Sequence, residues 1–203
     1  MAFVCLCRPD TLDLEPCTDS STDDVRRALQ ELDCEDPGKL VICLDGGAIA
    51  ASRLGKTPEL AVVGTFITVL CGSLSNYAYL VRKFYLEELG LPSTVSLEAV
   101  RERIPIRETA LLCKLYDRLG TGMLTKLRGK FTFCVYDSMY KRVPLRRDAS
   151  EAVSLVCGRT DDGFNFVASG EYRPPGAVKV SEIGPGRYVY SLGAEQKFCY
   201  PED

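Results

Sequence analysis

Apolar residues along this chain recur mainly at every second position or in short runs, and in a few places at helical spacing. Residues 2–6, 39–44, 48–53, 60–63 and 65–71 carry strand patterns, with Asp45-Gly46-Gly47 and Gly64 as the turns of two hairpins. Residues 8–22 are polar and contain proline, which predicts a loop. Ser21-Thr22-Asp23-Asp24 then opens a helix with Val25, Ala28, Leu29 and Leu32 on one face, ended by Asp36-Pro37-Gly38. A second helix is predicted from Ser75 or Asn76, either of which can cap it, to about residue 89, with Gly90 behind it. Residues 96–103 predict a short helix. Residues 108–119 predict a stronger one, with Leu111, Leu112, Leu115, Tyr116 and Leu119 at helical spacing. Period two then returns in residues 131–136, 143–146, 152–157, 164–168, 186–190 and 196–200, divided by Asp137-Ser138, Asp161-Asp162-Gly163 and Gly184-Pro185-Gly186 turns. Strands, two principal helices and strands again describe an α+β chain with layered antiparallel sheets. No repeat, linker or low-complexity stretch divides it, so residues 1–203 read as one domain.

Composition narrows the function classes. At 46% hydrophobic residues the chain can build a substantial core, and a net charge of −3 gives no long-range pull toward nucleic acid or an anionic membrane. The basic residues Lys141, Arg142, Arg146 and Arg147 are interleaved with apolar ones, which predicts a solvated strand face rather than a phosphate site. Glu87-Glu88 and Asp161-Asp162 read as solvated charges. No apolar run approaches the about 18 residues a membrane helix needs, so no membrane insertion is expected. The opening residues lack a basic leader and their apolar run stops at Arg8-Pro9. The expectation is an intracellular, cytoplasmic protein, with room for a place in a cytoskeletal, ciliary or organellar assembly.

The chain has ten cysteines, most of them inside apolar runs, where an intracellular protein uses them as small core residues. Cys5 and Cys7 are the one close pair, and strand alternation puts them on the same face. There is no histidine. That excludes Ser-His-Asp and Cys-His catalysis, histidine acid–base work and histidine metal sites. What remains is a nucleophile served by an α-amine, a lysine, carboxylates or an oxyanion hole. No metal site and no cofactor are expected. Tyr77, Tyr79, Phe84 and Tyr85 make the second helix rich in aromatic residues, read as core and rim packing, or as a partner-docking face where several are exposed.

Gly129-Lys-Phe-Thr-Phe-Cys-Val-Tyr-Asp137 with Lys141-Arg-Val-Pro-Leu-Arg-Arg-Asp148 resembles the "G-x-F-A-F-x-x-x-D … L-x-R-D" region of class II glutamine amidotransferase domains. Ala152–Gly158 stands where that family has its "P-L-Y-Y-G" strand, and Asp162-Gly163-Phe-Asn-Phe-Val-Ala-Ser-Gly-Glu171 is similar to "G-x-x-x-F-A-S-E". Ala110–Gly120 is similar to the "E-V-L-L-x-L-Y-x-x-x-G" helix. Gly72-Ser-Leu-Ser-Asn76 is similar to the "E-G-S-L-D-N" turn of plant aluminium-induced, stem-specific proteins. The resemblance covers residues 58–190 in collinear order and implies the N-terminal-nucleophile hydrolase fold, a four-layer α-β-β-α sandwich.

In that family a cysteine exposed at the N-terminus attacks the glutamine amide, with its own α-amine as base. An asparagine side chain and the following glycine amide hold the oxyanion. Carried over by residue, the resemblance puts Ala2 at the nucleophile, Cys71 at the oxyanion asparagine, Gly72 at the glycine and Ser73 at the glutamate after it. Arg107, or Glu108 one place on, falls at the carboxylate that holds the substrate's α-amino group, and Arg53 at the arginine for its carboxylate. A methyl group cannot attack an amide, a thiol is a weak hydrogen-bond donor, and an arginine repels an ammonium. The expectation is therefore a catalytically inactive amidotransferase-like domain that serves as an interaction subunit of an assembly, with protein partners and a homo-oligomer both open. The alternatives are a binding module that holds a small amino acid or amide without turnover, through Gly72, Ser73, Ser75, Asn76, Arg53 and Arg107, and an amidohydrolase using Cys5 or Cys7 after processing.

Overall fold

Alternating burial along the strands explains how the chain builds two sheets with two different cores. The computed structural model describes residues 3–7, 40–44, 47–51, 59–90, 92, 94–96, 98–100, 106–140, 142–148, 153–161, 163–170, 173–190 and 196–197. In chain order the strands are β1 (Phe3–Cys7), β2 (Leu40–Leu44), β3 (Gly47–Ala51), β4 (Glu59–Val63), β5 (Phe66–Leu74), β6 (Gly129–Asp137), β7 (Pro144–Arg147), β8 (Leu155–Thr160), β9 (Asn165–Ser169), β10 (Ala177–Glu182), β11 (Arg187–Tyr190) and β12 (Gln196–Lys197). The helices are α1 (Tyr77–Tyr85) and α2 (Glu108–Leu119), the latter running into a 3-10 turn, Gly120–Thr125. One six-stranded sheet has the order β10-β8-β9-β1-β3-β2 and the other β12-β11-β7-β6-β5-β4, with antiparallel pairing throughout.

On β5, Ile67, Val69 and Cys71 face the other sheet, whereas Phe66, Leu70 and Leu74 face the helices. This is the period-two rule of a strand buried on both faces. The inter-sheet core gathers Phe3, Cys5, Cys7, Ile49, Cys134, Tyr136, Cys157 and Val167 among others. The second core lies between the β4–β7 side of the second sheet and α1 and α2, where Leu80, Val81, Leu111, Leu112, Leu115, Phe131 and Phe133 meet. Each such side chain contributes about 1.5–3 kcal/mol of hydrophobic stabilisation. The described residues thus supply three layers, α-β-β. The helix expected over residues 22–35, which would be the fourth, lies outside them.

α2 forms where its spacing predicts, because Leu111, Leu112, Leu115 and Tyr116 share one buried face. Gly120 ends it with φ +54° and donates its N–H to the Tyr116 carbonyl. α1 is shorter than expected: helical geometry ends at Tyr85, and turns carry the chain to Gly90, whose N–H donates to the Glu87 carbonyl. Of residues 96–103, residues 98–100 are helical, with the Ser96 hydroxyl accepting the Ala99 N–H, and residues 101–103 lie outside the described residues.

Three sequence expectations are corrected. β5 does not stop at Cys71 but continues through Gly72, Ser73 and Leu74, because β6 offers paired residues as far as Gly129. β10 has no counterpart in the sequence reading: its residues are exposed or half-buried, and it adds to the sheet edge through backbone pairing with β8. The basic stretch on β7 is not a solvated face. Arg146 is 0% exposed and Arg147 7%. Arg146 turns toward the helices, stacks 4.9 Å from the Phe131 ring and donates to the Leu124 carbonyl at 2.5 Å. Arg147 turns the other way and reaches Glu182 and the Ile183 carbonyl. Among the described residues no helix is long and apolar enough to cross a membrane.

Candidate functional site

The N-terminal end of β1 and the late residues of β5 meet where the two sheets face each other. The Phe3 N–H donates to the Ser169 hydroxyl at 3.0 Å, and the Cys71 thiol is hydrogen-bonded to that same hydroxyl. Ser169 closes β9, the neighbour of β1, and is 0% exposed. One buried serine therefore joins the start of the first sheet's central strand to the thiol of the second sheet. Burial pushes the Cys71 thiol up to about 11 against the opposing effect of the Ser169 hydrogen bond. A thiol so placed is almost wholly protonated at neutral pH and is a poor nucleophile.

Cys5 and Cys7 are held more firmly still. β1 is hydrogen-bonded on both edges, to β3 and to β9, and every one of its side chains is buried. The Cys5 thiol meets the Cys134 thiol across the inter-sheet layer, and that contact, with burial, holds its pKa well above the ordinary thiol value. Cysteines 5, 7, 71, 113, 134 and 157 are buried and form no disulfide with one another. The Cys113 thiol lies 2.9 Å from the Thr68 hydroxyl, under α2.

Gly72 and Gly129 let β5 and β6 approach main chain to main chain. Gly72 has φ +105° and Gly129 φ +143°. Gly72, Ser73 and Ser75 are exposed, and the Ser75 N–H donates to the Arg128 carbonyl. Asn76 begins α1 but does not cap it, which corrects the expectation. Its side-chain amide donates to the Lys126 carbonyl at 2.8 Å and accepts the Arg128 N–H at 3.0 Å. The residue fastens the start of α1 to the segment leading into β6.

At the same end of β5 the Leu74 N–H donates to the Glu108 carboxylate at 2.8 Å. Glu108 opens α2, where a negative charge suits the helix dipole. The neighbouring Arg107 is the exposed residue before the helix. The Tyr77 hydroxyl donates to the Ile106 carbonyl and tethers the same segment. The structure thus brings Cys71, Gly72 and Ser73 to one strand end, with Arg107 and Glu108 beside it through the Leu74 contact. Ala2 and Arg53 lie outside the described residues. Sequence reasoning did not single out Ser169 as a site residue, although the Ala168-Ser169 pair sits inside one of the motifs that carried the resemblance. Among the described residues no group of three or more Cys, Asp or Glu stands close enough to hold a metal ion.

No protein-family model matches the sequence, and no curated protein matches it. Solved structures do. A glutamine phosphoribosylpyrophosphate amidotransferase from B. subtilis superposes with a TM-score of 0.54 over 94% of this chain, at 16% identity. The chain spans 47%, about half, of the length of that enzyme chain. A glutamine aminotransferase class-II domain protein from Silicibacter pomeroyi superposes with a TM-score of 0.52 at 14% identity, over 100% of both chains. Two antiparallel sheets face to face with helices on the second, matched over these lengths, give the chain the N-terminal-nucleophile hydrolase type of fold found in class II glutamine amidotransferase domains.

Proposed function

We propose that this chain is an amidotransferase-type domain that does not turn over glutamine and serves as an interaction subunit within a protein assembly, near in motif to the plant aluminium-induced, stem-specific proteins. The observation that carries this reading is the burial of β1. An N-terminal-nucleophile enzyme needs a reactive side chain at a free strand end. Here the thiols of β1, Cys5 and Cys7, lie at 0% and 4% exposure in a strand paired on both edges. Cleavage before Cys5 would remove Phe3 and Val4 from the central strand, and cleavage before Cys7 four of its five residues. The Cys71 thiol, at the position the resemblance gives to the oxyanion asparagine, is engaged with Ser169 instead of pointing a strong donor at substrate. Loss of one oxyanion donor alone costs about 10²–10³ in rate. Exposed Tyr79, Met139 and Tyr140 support the interaction role, because large apolar side chains held in water are what a partner can cover.

The test has two arms. Purified protein incubated with millimolar glutamine or asparagine is expected to release no ammonia above the buffer rate, and steady release abolished by a thiol reagent would sink the inactive reading. The protein isolated from its own cells is expected to elute with other chains at constant stoichiometry. Elution as a lone 22.4 kDa monomer would sink the assembly role.

A further inference from the structure

Among the described residues the second sheet ends in two edge strands, β12 and β4. β12 is only Gln196–Lys197. β4 is five residues, Glu-Leu-Ala-Val-Val, paired with β5 without a register shift, and it holds neither lysine nor proline. Proteins blunt free edges with lysine, proline and bulges, because unpaired backbone groups recruit another strand. In the first sheet β10 shows that device, with Lys179 at φ 51° beside a register shift, and β4 lacks it. The two-residue turn Gly64-Thr65 makes Val63 and Phe66 the hydrogen-bonded closing pair of the β4–β5 hairpin. Alternation then turns the N–H and C=O of Leu60 and Val62 toward the open edge. The side chains of these two residues stand beside Val69 and Ile67 on the inter-sheet face, yet Leu60 is 8% exposed and Val62 42%.

The helix above this edge has charges of opposite sign at its two ends. α2 runs along β5 from Leu74, whose N–H donates to Glu108, to Phe66, whose ring meets Tyr116 edge-on at 5.5 Å. It therefore runs parallel to β4. Lys114 and Arg118 lean toward α1 and the turn after it, reaching Glu88 and the Phe84 carbonyl. The opposite flank, with half-buried Ala110 and exposed Asp117, looks out past β4. Exposed Arg107 stands just before the same helix. Thr68, opposite Ala61 in the β4–β5 ladder, lies 2.9 Å from Cys113, which sets Ala61 under the middle of α2.

We propose that β4 is a homodimer edge, at which a second copy of this chain adds its own β4 antiparallel about a two-fold axis through Ala61. Leu60 then exchanges both backbone hydrogen bonds with the partner's Val62 and covers that exposed side chain, and the reverse pair does the same. Glu59 falls opposite the partner's Val63, so no like charges meet on the strands. The same axis reverses α2 and brings Arg107 of each copy toward the partner's Asp117, while Ala110 between them is small enough to let the helices approach. This complementarity of charge and register selects a second copy as the occupant. The surface goes beyond the assembly reading and does not rest on it, since the purified chain is tested alone.

The test is sedimentation velocity of the purified full chain at about 1–100 μM, where a small interface associates. The expected result is a reversible shift from 22.4 kDa to twice that mass. Val62→Lys sets a charge at the edge and is expected to raise the dissociation constant more than about tenfold. Tyr79→Lys, exposed on α1, is the control and should leave it unchanged. Asp117→Arg and Arg107→Asp are each expected to weaken the dimer about three- to tenfold, and the double variant to return within about twofold of wild type. A wild-type chain that stays monomeric across the range overturns the proposal. So does a dimer that Val62→Lys leaves intact, because association then uses another face. Whether or not Val62→Lys folds, no loss in the two single charge variants, or no recovery in the double one, overturns the axis through Ala61.

Discussion

A side chain on Gly72 would begin 2.1 Å from the backbone oxygen of Lys130, and one on Gly129 would begin 2.3 Å from the backbone oxygen of Ser73. The β5–β6 pair is therefore closed by two glycines, each pressed against the main chain of the partner strand or its continuation, just before the chain leaves for α1.

Gly72→Ala is expected to destabilise the protein by about 2–4 kcal/mol, since the clash is with backbone and the φ angle is positive. Gly129→Ala should behave alike. Gly122→Ala, with nothing within 4 Å of the added carbon, is the control and should stay within about 0.5 kcal/mol of wild type. Urea midpoints of the three variants measure this, and equal midpoints for Gly72→Ala and Gly122→Ala would contradict the packing described.

Asn76 gives a second prediction. Asn76→Ala removes both amide contacts to Lys126 and Arg128 and is expected to cost about 1–2 kcal/mol. Asn76→Asp keeps an acceptor for the Arg128 N–H but sets a carboxylate against the Lys126 carbonyl, so it should recover little of the loss. An Asn76→Asp variant as stable as wild type would show that the residue caps the helix after all.

Asp137 sets a pH dependence whose sign can be stated. Its carboxylate accepts the Met139 and Tyr140 N–H groups, yet burial outweighs them and holds its pKa above the ordinary carboxylate value. The folded protein thus binds this proton more tightly than the unfolded chain. The stability it contributes is complete below the unfolded value and is lost as pH rises through the raised one. Urea midpoints read across the acid range should fall with rising pH more steeply in wild type than in Asp137→Asn, and parallel profiles would refute it.

The thiols should report the same burial. At pH 8 a group with its pKa near 11 is about 0.1% thiolate. Cys71 is expected to resist iodoacetamide in the native protein and to react at once in urea, with peptide mass spectrometry as the readout. Cys5, deeper and paired with Cys134, should be slower still. Rapid native alkylation of Cys71 would place it at an open site.

Legibility in the sequence followed what local pattern controls. α2 was readable to the residue, because helical spacing and Gly120 are both local signals. Most strands were readable within a few residues for the same reason. Ala177–Glu182 was not, because an exposed edge strand carries no burial pattern and exists through its ladder with β8. Lys179 even adopts φ 51° within it, beside a register shift that no period-two pattern announces. Arg146 and Arg147 misled because charge predicts solvent, whereas their burial is set by distant partners: Leu124 and Phe131 on one face, Ile183 and Glu182 on the other. At the site, Cys71 and Gly72 were found from motif position. The Ser169 link to Phe3 joins residues 166 positions apart, and no local window contains it.

That separation has a consequence for how the protein is made. β1 is the fourth strand across its sheet, between β3 and β9, so one of its two edges stays open until the ribosome has delivered residues 165–169. Through most of synthesis a strand of sequence Phe-Val-Cys-Leu-Cys waits half-paired. Closing such distant contacts is slow, and exposed apolar edges are where nascent chains stick to one another. The strand most deeply buried in the finished protein is thus its point of greatest exposure during birth, and chaperone demand should peak just before β9 emerges.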